Sequence, residues 1–485
     1  MYFFALLSYN IIRQIHCNTK MNICQIIFIG IIMIKRSSGI LLHISSLFGD
    51  YGCGSFGENA KRFIDFLEKC CFSYWQVLPF SYPDEHFSPY KSPSAFSLNP
   101  YFIDLPTLFE EGLITKDELE DARQNTPYLV EFNRFEERLE LLKKASKRFN
   151  LSELASFFNS HPRTMIFSKF IGEEFLFSQY IFFRQWQKIK KYANSKGIKI
   201  IGDIPMYISL NSSDINENPQ LFMLDEKQEP TLVAGVPPDS FSSDGQKWGN
   251  PLYNIKEMSK DGFMWWRERI KFMFELFDAI RLDHFRAFES FYAIPTNKSA
   301  KDGIWLKGGG TNLINAIKEE AKDRLIIAEN LGFITPEVDT LLLESGFADM
   351  RVLQFGFDSD FSSPHLPHNY TENSVAYSGT HDNNTLLGYL YELSCDKRNI
   401  ICDYFGYKGQ DWCELCDEII RHIFMSKAGL VILPIQDIMK FGKDTRMNTP
   451  GKTDGNWGFR ITEEQLSSID TSKFKQLNAL YSRAL

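Results

Sequence analysis

The segment AIRLDHFRAF (279–288) carries the strongest chemical signal in the chain. It alternates apolar and polar residues and ends on a carboxylate, the pattern of a strand buried on one face. Residues two apart on a strand point the same way, so Arg281 and Asp283 project side by side while Ile280 and Leu282 pack behind them. A guanidinium beside a carboxylate favours the ionised form and fixes its orientation, as a carboxylate nucleophile requires. Alone, the pair is indistinguishable from an ordinary ion pair. Two further segments place it in a set. RLIIAENLG (324–332) is an apolar run ending on Glu329, and SVAYSGTHDNNT (374–385) runs into His381 and Asp382.

Such residues need elements to position them. Short, apolar, β-branched runs predict eight strands, at 39–43, 74–80, 198–204, 277–283, 324–329, 350–357, 374–379 and 429–435. Helical patterns lie between most of them, including 59–71, 179–197, 311–323 and 414–429. Alternating β and α units imply a parallel sheet, and eight of them predict an α/β fold of the closed (β/α)8 TIM-barrel type. That fold usually takes about 250 residues. A chain of 485 residues therefore carries large helical and loop insertions, expected after strands 2 and 3 at about 81–197 and 205–276, with no separate C-terminal β domain. The Gly/Pro-rich stretch 235–253 is expected to be a loop that forms a lid. Residues 35–485 are expected to make one catalytic domain.

Composition narrows the function classes. The net charge of −8 comes from interspersed charges with no basic tract, which argues against a nucleic-acid partner. The nine cysteines are scattered and suggest no disulfide framework, as in a reduced, cytoplasmic protein. Cys413 and Cys416 form a lone C-x-x-C on a helical stretch, a packed face rather than a zinc site. Residues 1–34 are strongly apolar, but the run at 22–34 is short for a membrane span, which needs about 20 residues. No small-x-small cleavage site follows it, and Met33 offers an internal start. The expectation is a start-site artefact or disordered extension rather than an anchor or signal, and no membrane association is expected.

In a barrel of this kind, catalytic groups sit at the C-terminal ends of strands. The third strand ends on Asp203, the fourth on Asp283 and the fifth on Glu329, and the seventh runs into His381 and Asp382. Converging carboxylates suit either a metal ion or glycoside chemistry. Their distinct neighbours favour distinct roles. Asp283 has Arg281 beside it and suits a nucleophile. Glu329 follows LIIA with no adjacent cation, so desolvation raises its pKa and suits it to general acid/base work. His381 and Asp382 suit the holding of sugar hydroxyls.

Longer motifs give a resemblance. RSSGILLHISSL (36–47), SPYKSPSAFSLNPYFIDL (88–105), GDIPMYI, PPDSFSSDGQKWGNPLY, RLDHFRAF, AENLGFITPEV (328–338), SGTHDNNT, RMNTPG (446–451) and GNWGFR (455–460) occur in the order found in glycoside hydrolase family 77. The chain from about Arg36 onward resembles these 4-α-glucanotransferases, also called amylomaltases or disproportionating enzymes. The resemblance implies Asp283 as nucleophile, Glu329 as acid/base and Asp382 as transition-state stabiliser. It also implies Arg281, His284, His381, Asp203 and Asn448 around the sugar at the cleavage point, Tyr90 near the donor glucan, and Gln246 and Trp248 in the lid. The implied partners are maltooligosaccharides and α-1,4-glucans, with no metal or organic cofactor and a monomeric or homodimeric protein. The implied reaction is a retaining double displacement; the alternatives are a retaining α-glucan hydrolase and an inactive glucan-binding protein. Two positions depart from the family pattern: Asn330 stands where an Asp is usual, and Phe459 where a Trp is common.

Overall fold

The computed structural model describes residues 34–150, 152–238, 243–358 and 360–484. In chain order the strands are β1 (Ser37–Leu41), β2 (Tyr74–Gln76), β3 (Lys199–Ile204), β4 (Leu232–Val236), β5 (Gln246–Pro251), β6 (Ala279–Leu282), β7 (Ser290–Pro295), β8 (Ile304–Lys307), β9 (Ile326–Ala328), β10 (Ala348–Val352), β11 (Ser374–Tyr377) and β12 (Leu430–Pro434). Eight of them close into a barrel in the order β1-β12-β11-β10-β9-β6-β3-β2. Every pairing around it is parallel. The fold is the expected TIM barrel, and each of the eight expected strand regions supplies one barrel strand.

The barrel closes because its strands are apolar on both faces and helices cover the outside. The helix Glu58–Lys69 turns Phe63, Ile64 and Leu67 inward, and Trp412–Met425 buries Leu415, Cys416, Ile419 and Ile423. Cys416 is therefore a packing residue. Gly202 is required by close approach, since a Cβ there would fall 2.1 Å from the Phe277 ring. The glycine lets Phe277 pack beneath the strand that carries Asp203. The two ends of the described chain meet at the seam. Arg36 donates to the carbonyls of Phe424, Ser426 and Tyr481, and Arg483 donates to those of Ser37 and Ala428.

Between β2 and β3 the chain makes a helical excursion that includes Phe135–Ser146 and returns along the 21-residue helix Phe175–Ser195. The expectation for 235–253 needs correction. These residues supply the last two residues of β4 and all of β5, two members of a four-stranded antiparallel sheet ordered β5-β4-β7-β8. Gly249, with φ of 80°, and Pro251 gave the stretch a loop-like composition, but cross-strand pairing overrides it. Residues 239–242, within the expected lid, lie outside the described residues. The sheet also exposes an unanticipated excursion between β6 and β9, which contributes β7 and β8.

One barrel strand is shifted. Residues 350–357 were expected to be extended, whereas β10 ends at Val352 and a 3-10 turn follows at Leu353–Phe355. Leu353 is buried, and a short apolar run cannot distinguish a strand from a buried turn. Among the described residues no helix is long and apolar enough to cross a membrane. The apolar run at 22–34 lies almost wholly outside them.

Candidate active site

Arg281 projects from β6 into the barrel and is almost completely buried. Its Nη1 donates to both carboxylate oxygens of Asp203 on β3, at 2.7 and 2.8 Å. Its Nη2 lies 3.1 Å from Asp283 Oδ1 and 3.2 Å from Glu329 Oε2. One guanidinium thus touches three carboxyls from three neighbouring strand ends. The i, i+2 geometry expected of Arg281 and Asp283 is present, with Ile280 and Leu282 buried behind them.

The contacts continue to both sides. Tyr90, from the excursion after β2, donates its hydroxyl to Asp203 Oδ2 at 2.8 Å and stacks on His381 with ring centroids 5.0 Å apart. His381 Nε2 lies 3.3 Å from Asp382 Oδ2, and Asn448 Nδ2 donates to Asp382 Oδ1 at 2.6 Å. On the other side, the backbone N–H of His284 donates to Glu329 Oε2 at 2.6 Å. His284 achieves this with a φ of 48°, a left-handed conformation uncommon outside glycine. Its ring meets Trp248 edge-on at 5.0 Å, and Trp248 Nε1 donates to Gln246 Oε1 at 3.1 Å. The candidate catalytic and substrate-binding residues named from the sequence therefore belong to one connected network.

The electrostatics differ by position. Burial works against ionisation of Asp283, but the Arg281 charge and a hydrogen bond with Glu329 outweigh it and hold the carboxyl below its usual range. Glu329 moves the opposite way. Burial raises it well above the usual range, Arg281 opposes that, and the charge of Asp283 adds to it. The expectation that Glu329 has no cation beside it is corrected here, because Arg281 reaches it through space from the neighbouring strand. Burial pushes His284 down to about 4, so its imidazole is neutral near pH 7, and its buried Nε2 has no hydrogen-bond partner among the described residues. Tyr90 is raised well above its ordinary value by burial and by Asp203, which keeps the phenol a donor.

Asn330 has a structural task. Its Oδ1 accepts from the Met350 N–H at 2.9 Å and ties the end of β9 to β10, a bond an aspartate oxygen would accept equally well. Phe459 keeps a buried ring against Phe441.

Several participants were missed. Trp457 lies 5.8 Å from the Tyr90 ring and 6.0 Å from His381. Arg446 donates to the carbonyls of Asp382 and Asn448, bracing the loop that carries Asp382. Both residues lie within motifs quoted above, GNWGFR and RMNTPG, but nothing in their spacing assigns them a place at the mouth. Tyr207 lies 6.2 Å from Trp248 and 6.4 Å from His284. His43 is buried and, through burial and then His381, is pushed down to about 3. It accepts the Leu78 N–H on Nδ1.

Comparison with known proteins gives concordant results. The glycoside hydrolase family 77 model, described as 4-alpha-glucanotransferase, matches residues 42–175 and 172–466. A 4-alpha-glucanotransferase of Streptococcus pneumoniae serotype 4 is 38% identical over 497 residues, covering 93% of this chain and 98% of that protein. One from Clostridium butyricum is 38% identical over 494 residues, covering 91% of this chain and all of that protein. The solved amylomaltase from Streptococcus agalactiae in complex with acarbose superposes with a TM-score of 0.89 at 34% identity, covering 93% of this chain and 100% of that one. By the extent of the family match and the identity to these relatives, the chain belongs to the 4-alpha-glucanotransferases of glycoside hydrolase family 77.

Proposed function

We propose that Asp283, Glu329 and Asp382 carry out the family's glucan transfer on this barrel, with Asp283 as nucleophile and Glu329 as acid/base. The observation that supports this most is that Asp283 and Glu329 touch one guanidinium nitrogen of Arg281 while their surroundings push them in opposite directions, Asp283 below its usual range and Glu329 above it. Retaining glycoside chemistry needs one carboxylate ionised and a second one protonated close by. Contact with a shared Nη2 keeps the pair closer than the roughly 6.5–9.5 Å of inverting enzymes.

In the first step Asp283 attacks the anomeric carbon of an α-1,4-glucan, and the bond to the leaving 4-oxygen breaks. Glu329 supplies the proton to that oxygen. In the second step Glu329 takes the proton from the 4-hydroxyl of an acceptor glucan, which attacks the glucosyl-Asp283 ester and restores the α linkage. Loss of the Glu329 proton and its return leave the enzyme unchanged over one cycle. Asp382, fixed by Asn448, holds sugar hydroxyls and favours the oxocarbenium-like transition state. Arg281 keeps Asp283 ionised. Tyr90 with His381 offers a ring face at the mouth, and Trp248 and Tyr207 cover the His284 side and help exclude water. Maltooligosaccharides are the proposed donors and acceptors. The cysteine usage, with no disulfide among the described residues, supports a reducing, cytoplasmic setting.

The test is to incubate the protein with maltotriose and resolve the products over time. Glucose together with a ladder of longer maltooligosaccharides is expected. Glucose and maltose alone would make the protein a hydrolase, and the acceptor role of the mouth would be lost.

A further inference from the structure

Outside the network described above, one aromatic assembly has no assigned task. Phe333 lies four residues beyond Glu329 and is 63% exposed. A large apolar ring left this open normally has little to hold it. Phe333 is held from behind. The Arg286 guanidinium carbon lies 5.4 Å from its ring centroid and 3.8 Å from that of Trp305, and the two rings are 6.4 Å apart and only 23° from parallel. Arg286 itself is 5% exposed. Its Nε and Nη1 are buried and make no hydrogen bond among the described residues. A buried arginine with unpartnered donors is costly unless its charge serves another purpose. Here the guanidinium lies against two ring faces, and the carboxylates of Glu289 and Glu337 help to keep it charged.

The placement joins this assembly to the catalytic mouth. Arg286 follows Asp283 by three residues, and Phe333 follows Glu329 by four, a stretch that spans at most about 14 Å when fully extended. Trp305 comes from β8, at the edge of the antiparallel sheet. The braced ring has its outer face open to solvent. A ring already fixed in place loses little side-chain freedom on binding, and the apolar C–H face of a pyranose is its natural partner.

We propose that Phe333, braced by Arg286 and Trp305, is a stacking platform on the Glu329 side of the mouth for a glucose unit of α-glucans long enough to run out of the mouth along that side. This rests on glucan transfer at the Asp283–Glu329 pair. The platform sets chain-length preference and takes no part in bond breaking.

Phe333→Ala and Phe333→Trp are compared with the unaltered protein on maltotriose and on maltoheptaose. For Phe333→Ala, KM for maltoheptaose rises about tenfold, the usual scale of one lost ring contact. Turnover of maltotriose and its pH profile stay unchanged, and Phe333→Trp restores the low KM for maltoheptaose. Equal loss on both substrates, or a displaced maltotriose pH profile, would make Phe333 a support for Glu329 and overturn the platform. No change on either substrate would overturn it as well. Failure of the unaltered protein to disproportionate maltotriose would overturn the transfer chemistry instead, which separates the two conclusions.

Discussion

Asp283 and Asp382 are the same side chain in two settings. Asp283 ends a barrel strand, is 24% exposed, and touches a buried guanidinium that also touches Glu329 and Asp203. Asp382 sits on a loop, is 39% exposed, and is held by a neutral amide, Asn448, and by His381. In the first cluster charge acts in a poorly solvated interior, where it sets protonation states. In the second, hydrogen bonds near solvent mainly fix a position. The barrel thus tunes one carboxylate and aims the other.

The comparison breaks most sharply at Asp283. Asp283→Asn removes the proposed nucleophile while keeping the shape, so transfer from maltotriose is expected to fall by at least about 10⁴-fold with maltoheptaose binding largely retained, measured by calorimetry. Survival of activity would reassign the nucleophile. Arg281→Lys keeps a positive charge but loses the fork that spans three carboxyls, and kcat is expected to fall about 100-fold. The pH profile of kcat/KM gives the sign. Arg281 pulls both Asp283 and Glu329 down, so weakening it lets both rise. The acid limb, which follows ionisation of Asp283, and the alkaline limb, which follows deprotonation of Glu329, both move to higher pH. If only one limb moves, the two carboxyls do not share the guanidinium in the working enzyme.

The Asp382 side should respond less. Asn448→Ala removes one charge-assisted hydrogen bond, worth roughly 1.5 kcal/mol, and is expected to lower kcat about tenfold without moving either pH limb. A shifted limb would mean that Asp382 belongs to the charge-tuned cluster after all. Smallest is Tyr90→Phe, which keeps the ring on His381 and deletes only the hydroxyl bonded to Asp203. A loss of about threefold to fivefold in kcat/KM is expected, because Arg281 still satisfies Asp203.

The same division explains what could be read in the sequence. Asp203, Asp283 and Glu329 end strands whose apolar runs were plain, and period-two alternation put Arg281 beside Asp283. The reach of Arg281 to Glu329 was hidden, because it depends on β6 and β9 being neighbours in the barrel. Trp457 and Arg446 were hidden for a similar reason: they lie on irregular segments with no periodicity, and tertiary contacts alone bring them to Asp382. The antiparallel sheet escaped notice because Gly249 and Pro251 mimic a loop. Asn330, marked as a departure beside the acid, spends its oxygen on the backbone of β10.

The seam between β1 and β12 has a consequence for synthesis. Arg36 donates to Ser426, 390 residues further along the chain. At translation rates of about 5–20 residues per second, β1 waits roughly 20–80 s for the strand that completes the barrel. Throughout that interval an apolar strand edge is open to the wrong neighbour. Late closure makes the nascent chain, more than the finished enzyme, the state most exposed to aggregation, and a chaperone that shields β1 should raise the yield more than one acting after release.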